Sequence, residues 1–371
     1  MKYYDLSNLL KKKARYNIVF GERSNGKTYA VLEYALKEYV KNGSQLAVIR
    51  RWREDFKGKR GANYFDSLVY NGNGENIVKE LTKGKYDHVV YNSSRWYLAY
   101  YDEELEKNIT APEPFAFSFA LTEMQHEKGN SFPKIKNCLF DEFMVHGSGM
   151  YIPDEFIAFM NTLSTIIRHR DDVKIFMAAN TVDMIGCPYF KEMGLKHVKD
   201  MKKGDIDIYT YGNSGLKVAV EYADSPNPEG KPSDVYFAFD NSKLKLDMIT
   251  SGAWELDIYP HLQERVEKHE IIFSYFLLYD DQTLQADIVQ RKNEAFTFIH
   301  PKTTPIKDED KDIIFTTEAD TRYNYYGRLT KPVNKAVRKL FWFFVANKVF
   351  YSSNEIGEVV AHYLYWCNNN K

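Results

Sequence analysis

The eight residues Gly21-Glu22-Arg23-Ser24-Asn25-Gly26-Lys27-Thr28 fit the pattern G-x-x-x-x-G-K-[ST] without a mismatch. They follow an apolar run, Tyr16 to Phe20, and precede a helical pattern from Gly26 to Val40. A strand, a glycine-containing loop and a helix in this order constrain the fold strongly, because the loop has to turn its N–H groups and the helix N-terminus towards one anion. The expected ligand is a nucleotide held by its phosphates, with Gly21, Glu22, Arg23, Ser24, Asn25, Gly26, Lys27, Thr28 and Tyr29 around it. Lys27 is placed to reach the β and γ phosphates and the Thr28 hydroxyl to ligate Mg²⁺. A glycine turn that merely caps a helix is the plainer reading, and the strand-loop-helix context speaks against it.

Beyond the loop the alternation continues. Gln45 to Ile49, Ile135 to Phe140 and Val173 to Ala179 predict inner strands, and Pro153 opens a helical segment with Phe156, Phe159, Met160, Leu163 and Ile167 at helix spacing. Strands alternating with helices predict an α/β domain with a mainly parallel sheet flanked by helices. From Glu221 the texture changes, and Asp224 to Pro232 packs turn formers. The expected organisation is a P-loop ATPase domain over 1–220, a linker over 221–260 and a smaller α+β domain over 261–371. The last holds a meander at Ile271 to Tyr279, Leu284 to Gln290 and Ala295 to His300, with Asp280-Asp281 in its first turn, then helices near Lys331 to Lys348 and Ser353 to Cys367.

Ile135 to Phe140 runs into Asp141-Glu142, an apolar strand emerging at a carboxylate pair. In that setting Asp141 is the expected Mg²⁺ partner, and Glu142 the residue that orients or deprotonates the attacking water, which favours ATP hydrolysis. Asn180, at the tip of Val173 to Ala179, is either a contact to the γ-phosphate or the attacking water or a residue that starts a loop. Arg168 and Arg170 follow the helix begun at Pro153. They complement the negative end of its dipole, or one of them acts across a subunit interface on transition-state charge.

Charge excludes one class of partner. The chain has 371 residues with 50 Lys+Arg and 51 Asp+Glu, a net charge of -1, which argues against coating of nucleic acid by a whole surface. The balance is uneven: residues 1–60 hold 15 basic and 6 acidic residues, +9, so residues 61–371 carry 35 against 45, or -10. Much of the excess lies in Arg50 to Arg60, where Arg53 and Lys57 are candidates for phosphate contact in a pore and a solvated loop is the alternative. The longest apolar stretches, such as Phe341 to Ala346, are too short for a membrane span, and Met1 to Lys13 has no signal-peptide pattern. A soluble, intracellular protein is expected, with Cys138, Cys187 and Cys367 as buried thiols.

Taken together, these residues resemble the DNA-packaging (encapsidation) ATPases of phi29-like bacteriophages. The likeness rests on Gly21 to Thr28, Val48-Ile49-Arg50-Arg51, His126-Glu127-Lys128-Gly129-Asn130, Leu139-Phe140-Asp141-Glu142-Phe143 with Tyr151-Ile152-Pro153, Arg168-His169-Arg170 and Cys187-Pro188-Tyr189-Phe190. It implies an ASCE-type P-loop ATPase using ATP and Mg²⁺. It further implies a homo-oligomeric ring, a pentamer, docked on the portal (connector) of a procapsid in the host-cell cytoplasm, which drives double-stranded DNA inward; a scaffold RNA is a candidate partner and a membrane is not. Arg23 matches a basic residue inside the family's loop, Arg168 its trans-acting arginine finger, and Lys128 a second basic residue linked to communication between subunits. The loop Met144 to Gly149 lacks the basic residues the family can place there. The C-terminal domain is implied to be a vestigial RNase H-like nuclease. Its nearby acids are Asp280, Asp281, Asp287 and Glu294; the first two sit in a turn, and nuclease activity is not expected. The alternatives are another P-loop nucleic-acid motor, a helicase-type ATPase, and a nucleotide-binding switch without turnover.

Overall fold

Alternate residues of the inner strands face opposite sides of one sheet, and both sides are dry. On β1 (Tyr16–Gly21), Ile18 and Phe20 join one buried cluster and Val19 the other; on β2 (Gln45–Arg50), Ala47 and Ile49 oppose Leu46 and Val48. Near-continuous apolar runs are what a parallel strand covered on both faces requires. The structure is a computed structural model and describes residues 2–123, 129–145, 151–181, 187–224, 258–262, 264–292, 294–331 and 334–369. These residues fall into two compact units, one up to residue 224 and one from 258.

In the first unit the remaining strands are β3 (His88–Asn92), β4 (Arg95–Asp102), β5 (Lys107–Thr110), β6 (Ala116–Ala120), β7 (Ile135–Asp141), β8 (Lys174–Asn180), β9 (Ile206–Tyr211) and β10 (Leu216–Ala223). Their order is β3-β4-β6-β2-β7-β8-β1-β10-β9, with β5 on β4. The pairs from β6 through β10 are parallel, and the outer strands β3, β4, β5 and β9 pair antiparallel. β8 therefore lies between the P-loop strand β1 and the carboxylate strand β7, the ASCE arrangement. The helix Lys27–Asn42 covers one face through Val31, Leu32, Ala35 and Leu36; the helix Glu155–Ile167 covers the other through Phe159, Leu163 and Ile166.

Two expected boundaries move. The second helix starts at Glu155 rather than Pro153, because Asp154 adopts φ +51 and the Glu155 carboxylate turns back to accept the Ile152 N–H at 2.9 Å. The division after 220 falls inside β10, whose Glu221 pairs in register with Val19 and accepts the Tyr4 hydroxyl at 2.5 Å. Of the expected linker 221–260, residues 225–257 lie outside the described residues.

The second unit is built on a six-stranded sheet, order β15-β14-β11-β12-β13-β16, from β11 (Ile271–Tyr279), β12 (Gln282–Arg291), β13 (Glu294–Pro301), β14 (Ile314–Thr316), β15 (Tyr325–Tyr326) and β16 (Val349–Tyr351). β11, β12 and β13 form the antiparallel meander; β14 joins β11, β15 joins β14 and β16 joins β13 in parallel. Helices Lys335–Val345 and Asn354–Asn369 complete it. All three cysteines are buried and unbridged, and burial pushes the Cys138 thiol up to about 12 and that of Cys187 to about 11. No helix among the described residues is long and apolar enough to cross a membrane.

Candidate active site

The loop after β1 closes around the Lys27 ammonium. Its Nζ lies 2.5 Å from the Glu22 carbonyl, 2.9 Å from Asn25 Oδ1, 3.2 Å from the Gly21 carbonyl and 3.5 Å from Asn180 Oδ1, with the side chain only 5% exposed. Each of these four acceptors is a neutral oxygen. Burial, partly offset by the charges of Glu22 and Asp141, lowers the lysine pKa to about 7. The turn is made at Gly26, where φ is +89 and a Cβ would stand 2.9 Å from the Tyr3 ring. Tyr3 in turn packs on Tyr29 at 4.4 Å, and the Tyr4 N–H donates to the Asn25 carbonyl, so the N-terminal residues hold the loop from outside. Two buried donors, Asn25 Nδ2 and Arg50 Nε, have no hydrogen-bond partner among the described residues. A desolvated ammonium and two idle N–H groups are what an anion would satisfy.

The register Ile49↔Phe140 and Asp141↔Ala178 lays the C-terminal ends of β2, β7 and β8 side by side. Thr28 Oγ1 donates to Asp141 Oδ1 at 2.8 Å, joining positions 113 residues apart. The other Asp141 oxygen accepts Arg50 at 2.7 Å and the Tyr64 hydroxyl at 2.9 Å. Arg50 also lies 3.4 Å from the Glu142 carboxylate and 5.4 Å from the Tyr64 ring centre. Burial works against the Arg50 charge, yet Asp141, Tyr64 and Glu142 together hold its pKa above the ordinary value. Burial, and then Asp141, raise that of Tyr64. The Thr28 hydroxyl and Asp141 carboxylate are the oxygen donors a hard divalent cation takes. Beside them is a cavity of about 360 Å³ lined by Lys27, Thr28, Tyr29, Arg50, Glu142 and Asn180. The Glu142 side chain is 62% exposed, and its backbone is left-handed at φ +58, a conformation that costs a non-glycine residue about 1 to 3 kcal/mol and persists only where the surroundings impose it.

Residues 1–211 match the family described as Podovirus DNA encapsidation protein (Gp16). The chain belongs to that family. The DNA packaging proteins of Bacillus phage PZA and Bacillus phage phi29 are each 27% identical over 202 residues, 54% of this chain and 52% of theirs. That of Bacillus phage B103 is 27% identical over 188 residues, 50% of either chain. The chain thus spans about half the length of the curated relatives it matches. In fold the likeness is longer: a chain of the bacteriophage Phi-29 viral genome packaging motor assembly superposes with a TM-score of 0.59 at 20% identity, covering 98% of both chains. A chain of the Phi-28 gp11 DNA packaging motor gives 0.52 at 18% identity, covering 100% of this chain and 99% of its own.

The structure brings Gly21, Glu22, Ser24, Asn25, Gly26, Lys27, Thr28, Tyr29, Asp141, Glu142 and Asn180 to one place. Arg23 is exposed on the loop, and Glu22 is held by Lys203 at 2.5 Å. Arg168 is exposed beyond the helix, donating to the Asn130 carbonyl at 2.6 Å, and does not line the cavity of its own chain. Arg170 has the plainer of its two roles: it donates to the Ile166 and Ile167 carbonyls at the helix end and to those of Pro133 and Ile135 at the start of β7. Lys128 and residues 146–149 of the loop after Glu142 lie outside the described residues. Within the basic segment, Arg53 and Lys57 are exposed and paired with Glu123 and Glu54, contacts of little intrinsic strength. Arg50 and Arg51 leave that segment altogether and point inward. Arg50 and Tyr64 were not legible as site residues; for Arg50 the available signal was its place at the C-terminal end of a parallel strand, where such sheets build their sites.

Proposed function

We propose that this chain is an ATP-hydrolysing motor that, as a pentameric ring at the portal of a procapsid in the host-cell cytoplasm, drives double-stranded viral DNA inward, with an RNA scaffold as a further partner. The observation that carries the hydrolytic part is the 2.8 Å contact of Thr28 with Asp141 beside the buried Lys27 ammonium. The DNA part is supported by the family and by relatives named DNA packaging proteins.

Lys27, the loop N–H groups and Asn25 Nδ2 bind the phosphates, which return to the ammonium the charge that burial disfavours. Thr28 and Asp141 would hold Mg²⁺, which supplies neutralisation of the β and γ phosphate oxygens. Glu142, open to the cavity, orients the attacking water and accepts its proton. Asn180 at the tip of β8 senses the γ-phosphate, and Arg23 stands at the loop's exposed side. Arg168 serves the site of a neighbouring copy, with Lys128 in the same communication.

For the second unit, the order β13-β12-β11-β14-β15, antiparallel in its first three strands and parallel in the rest, supports an RNase H-like origin. Asp287 there accepts Ser274 at 2.6 Å, Gln285 at 2.8 Å and His300 at 3.0 Å. A carboxylate so committed favours a binding rather than a cleaving role.

The test is ATP turnover with duplex and with single-stranded DNA, measured together with ring assembly. Duplex should stimulate more strongly, and Glu142→Gln should keep nucleotide binding while stopping hydrolysis. Normal turnover by Glu142→Gln overturns the hydrolytic assignment, and preference for single strands turns the reading towards a helicase-type motor.

A further inference from the structure

Four segments, Arg50-Arg51, Phe140 to Phe143, Tyr151-Ile152 and Tyr189-Phe190, meet at the buried guanidinium of Arg51, a residue that the phosphate chemistry leaves unexplained. The side chains of Arg51 and Glu155 are 4% and 1% exposed. Arg51 Nε and Nη2 each lie 2.6 Å from a different oxygen of Glu155, a two-pronged pairing. Glu155 is filled further by the Tyr189 hydroxyl at 2.6 Å and the Ile152 N–H at 2.9 Å. The guanidinium stands 5.8 Å and 5.2 Å from the ring centres of Phe140 and Tyr151, and the Tyr189 ring packs edge-on against Phe140 and Phe143.

A buried ion pair is poor cement, since desolvation cancels much of its attraction. This pair has a second set of contacts that cement does not need. Arg51 Nη1 donates to the Glu142 carbonyl at 3.2 Å, and Nη2 to the Phe143 carbonyl at 2.9 Å. On the other side, the Glu142 N–H donates to the Ala178 carbonyl at 2.8 Å. The left-handed residue is therefore gripped at its amide by β8 and at its carbonyl by Arg51.

We propose that Arg51 is a positioning residue for hydrolysis: fixed by Glu155 and Tyr189, it holds the Glu142 backbone in the strained conformation that aims the carboxylate into the phosphate cavity. Without that grip Glu142 relaxes to an ordinary φ and its carboxylate leaves the line of the attacking water. This rests on Glu142 being the base, as proposed above.

The test compares Arg51→Met combined with Glu155→Leu, Glu155→Gln and Arg51→Lys with the unaltered full chain, all in assembled rings with duplex DNA. The first replaces the ion pair by apolar groups of similar size, a change that buried pairs tolerate. Expected for it is a fall in kcat of about 10- to 100-fold with nucleotide Kd and KM within about twofold, because a small misplacement of a reacting group has that effect. Arg51→Lys, keeping the charge but not the fork, recovers part of the loss. Turnover within about twofold of the unaltered chain in the folded double variant overturns the proposal, as does a parallel loss of nucleotide affinity, which marks a general structural role. If the double variant does not fold, Glu155→Gln is read by the same two criteria. Glu142→Gln is measured alongside: its normal turnover would remove the base assignment itself, whereas an inactive Glu142→Gln beside a fully active double variant removes only the role of Arg51.

Discussion

Nucleotide affinity should fall as pH rises, and the size of the fall follows from the environment of Lys27. In the empty site burial holds the ammonium pKa near 7. Phosphate oxygens return the charge it lacks, so the loaded site keeps the lysine protonated with a pKa of roughly 10.4 or above. Binding above pH 7 then requires the uptake of a proton, and affinity follows the protonated fraction of the empty site. Between pH 7.5 and 9 that fraction drops roughly 25-fold, about 1.9 kcal/mol. The window lies above the second ionisation of a phosphate monoester, so the nucleotide contributes little of its own. The sign for the empty protein is opposite. The unfolded chain holds this proton up to roughly pH 10.4 and the folded chain releases it near 7, so stability rises with pH across that interval. The assay is titration with ADP in the presence of a chelator at fixed ionic strength, with calorimetry in two buffers of different ionisation heat to count protons. Close to one proton should enter at pH 9, and Lys27→Met should bind weakly with a flat profile. An affinity change below about threefold, or no proton uptake at pH 9, refutes the reasoning.

Other expectations are independent of that proton. Mixed rings of Arg168→Ala and Glu142→Gln subunits should recover part of the activity that either lacks alone, since each supplies what its neighbour is missing; no recovery at any mixing ratio counts against a role across the interface. Gly26→Ala should lower the thermal midpoint more than Gly43→Ala: both glycines have positive φ, +89 and +77, but only Gly26 faces a wall, the Tyr3 ring. The strain alone is worth about 1 kcal/mol, so equal losses in the two variants would show that Tyr3 yields freely. In the second unit, the hydrogen bond that His300 donates to Asp287 raises the His300 pKa; burial works against the Asp287 charge, yet the hydrogen bonds it accepts from His300, Gln285 and Ser274 together lower its pKa. The His300 contribution to stability is complete below its ordinary value and is lost as pH rises through the raised one, whereas that of Asp287 is lost in acid. Hydrogen-exchange protection along β12 and β13 should therefore weaken from pH 6 to 8.5, and His300→Gln should abolish the trend; the same slope in both proteins would disprove it.

The central strands β1, β2, β7 and β8 were legible because they are buried on both faces and read as short apolar runs, such as Ile18 to Phe20 and Cys138 to Phe140, whereas the parallel strands β6 and β10 beside them went unread. The outer antiparallel strands were not legible either. β3 is half-buried along its length, and its hairpin to β4 turns at Ser93-Ser94 with φ +50 and +63, where a glycine or asparagine signal would ordinarily stand. The loop glycines, Lys27, Thr28, Asp141 and Glu142 could be named from spacing, since phosphate and metal chemistry fixes both residue type and distance from the strand end. The partners of Asp141 could not. Tyr64 reaches it from a segment of short helical turns with no periodicity, and Arg50 is indistinguishable by type from the exposed cations that follow it. What separates them is the register of β2 on β7, a long-range fact that no window of sequence contains.

That separation changes what the early positive excess means. Arg50 and Arg51 point inward, and the carboxylates they meet, Asp141, Glu142 and Glu155, all come from the acidic remainder of the chain. Part of the contrast between +9 before residue 61 and -10 after it is thus internal, a set of charges that must meet for the site to form. In the segment Arg50 to Arg60 four cations stay exposed, Arg53, Lys57, Lys59 and Arg60, and the first two sit in surface pairs that a phosphate can displace at little cost. Four phosphate contacts in one copy would give a salt exponent of only about −3.6, far from the grip of a protein built to stay on DNA. The proposed motor has to release each phosphate it has pulled, and for that a small exposed surplus on the outside and a fixed set of paired charges within suit it better than a uniformly basic surface would.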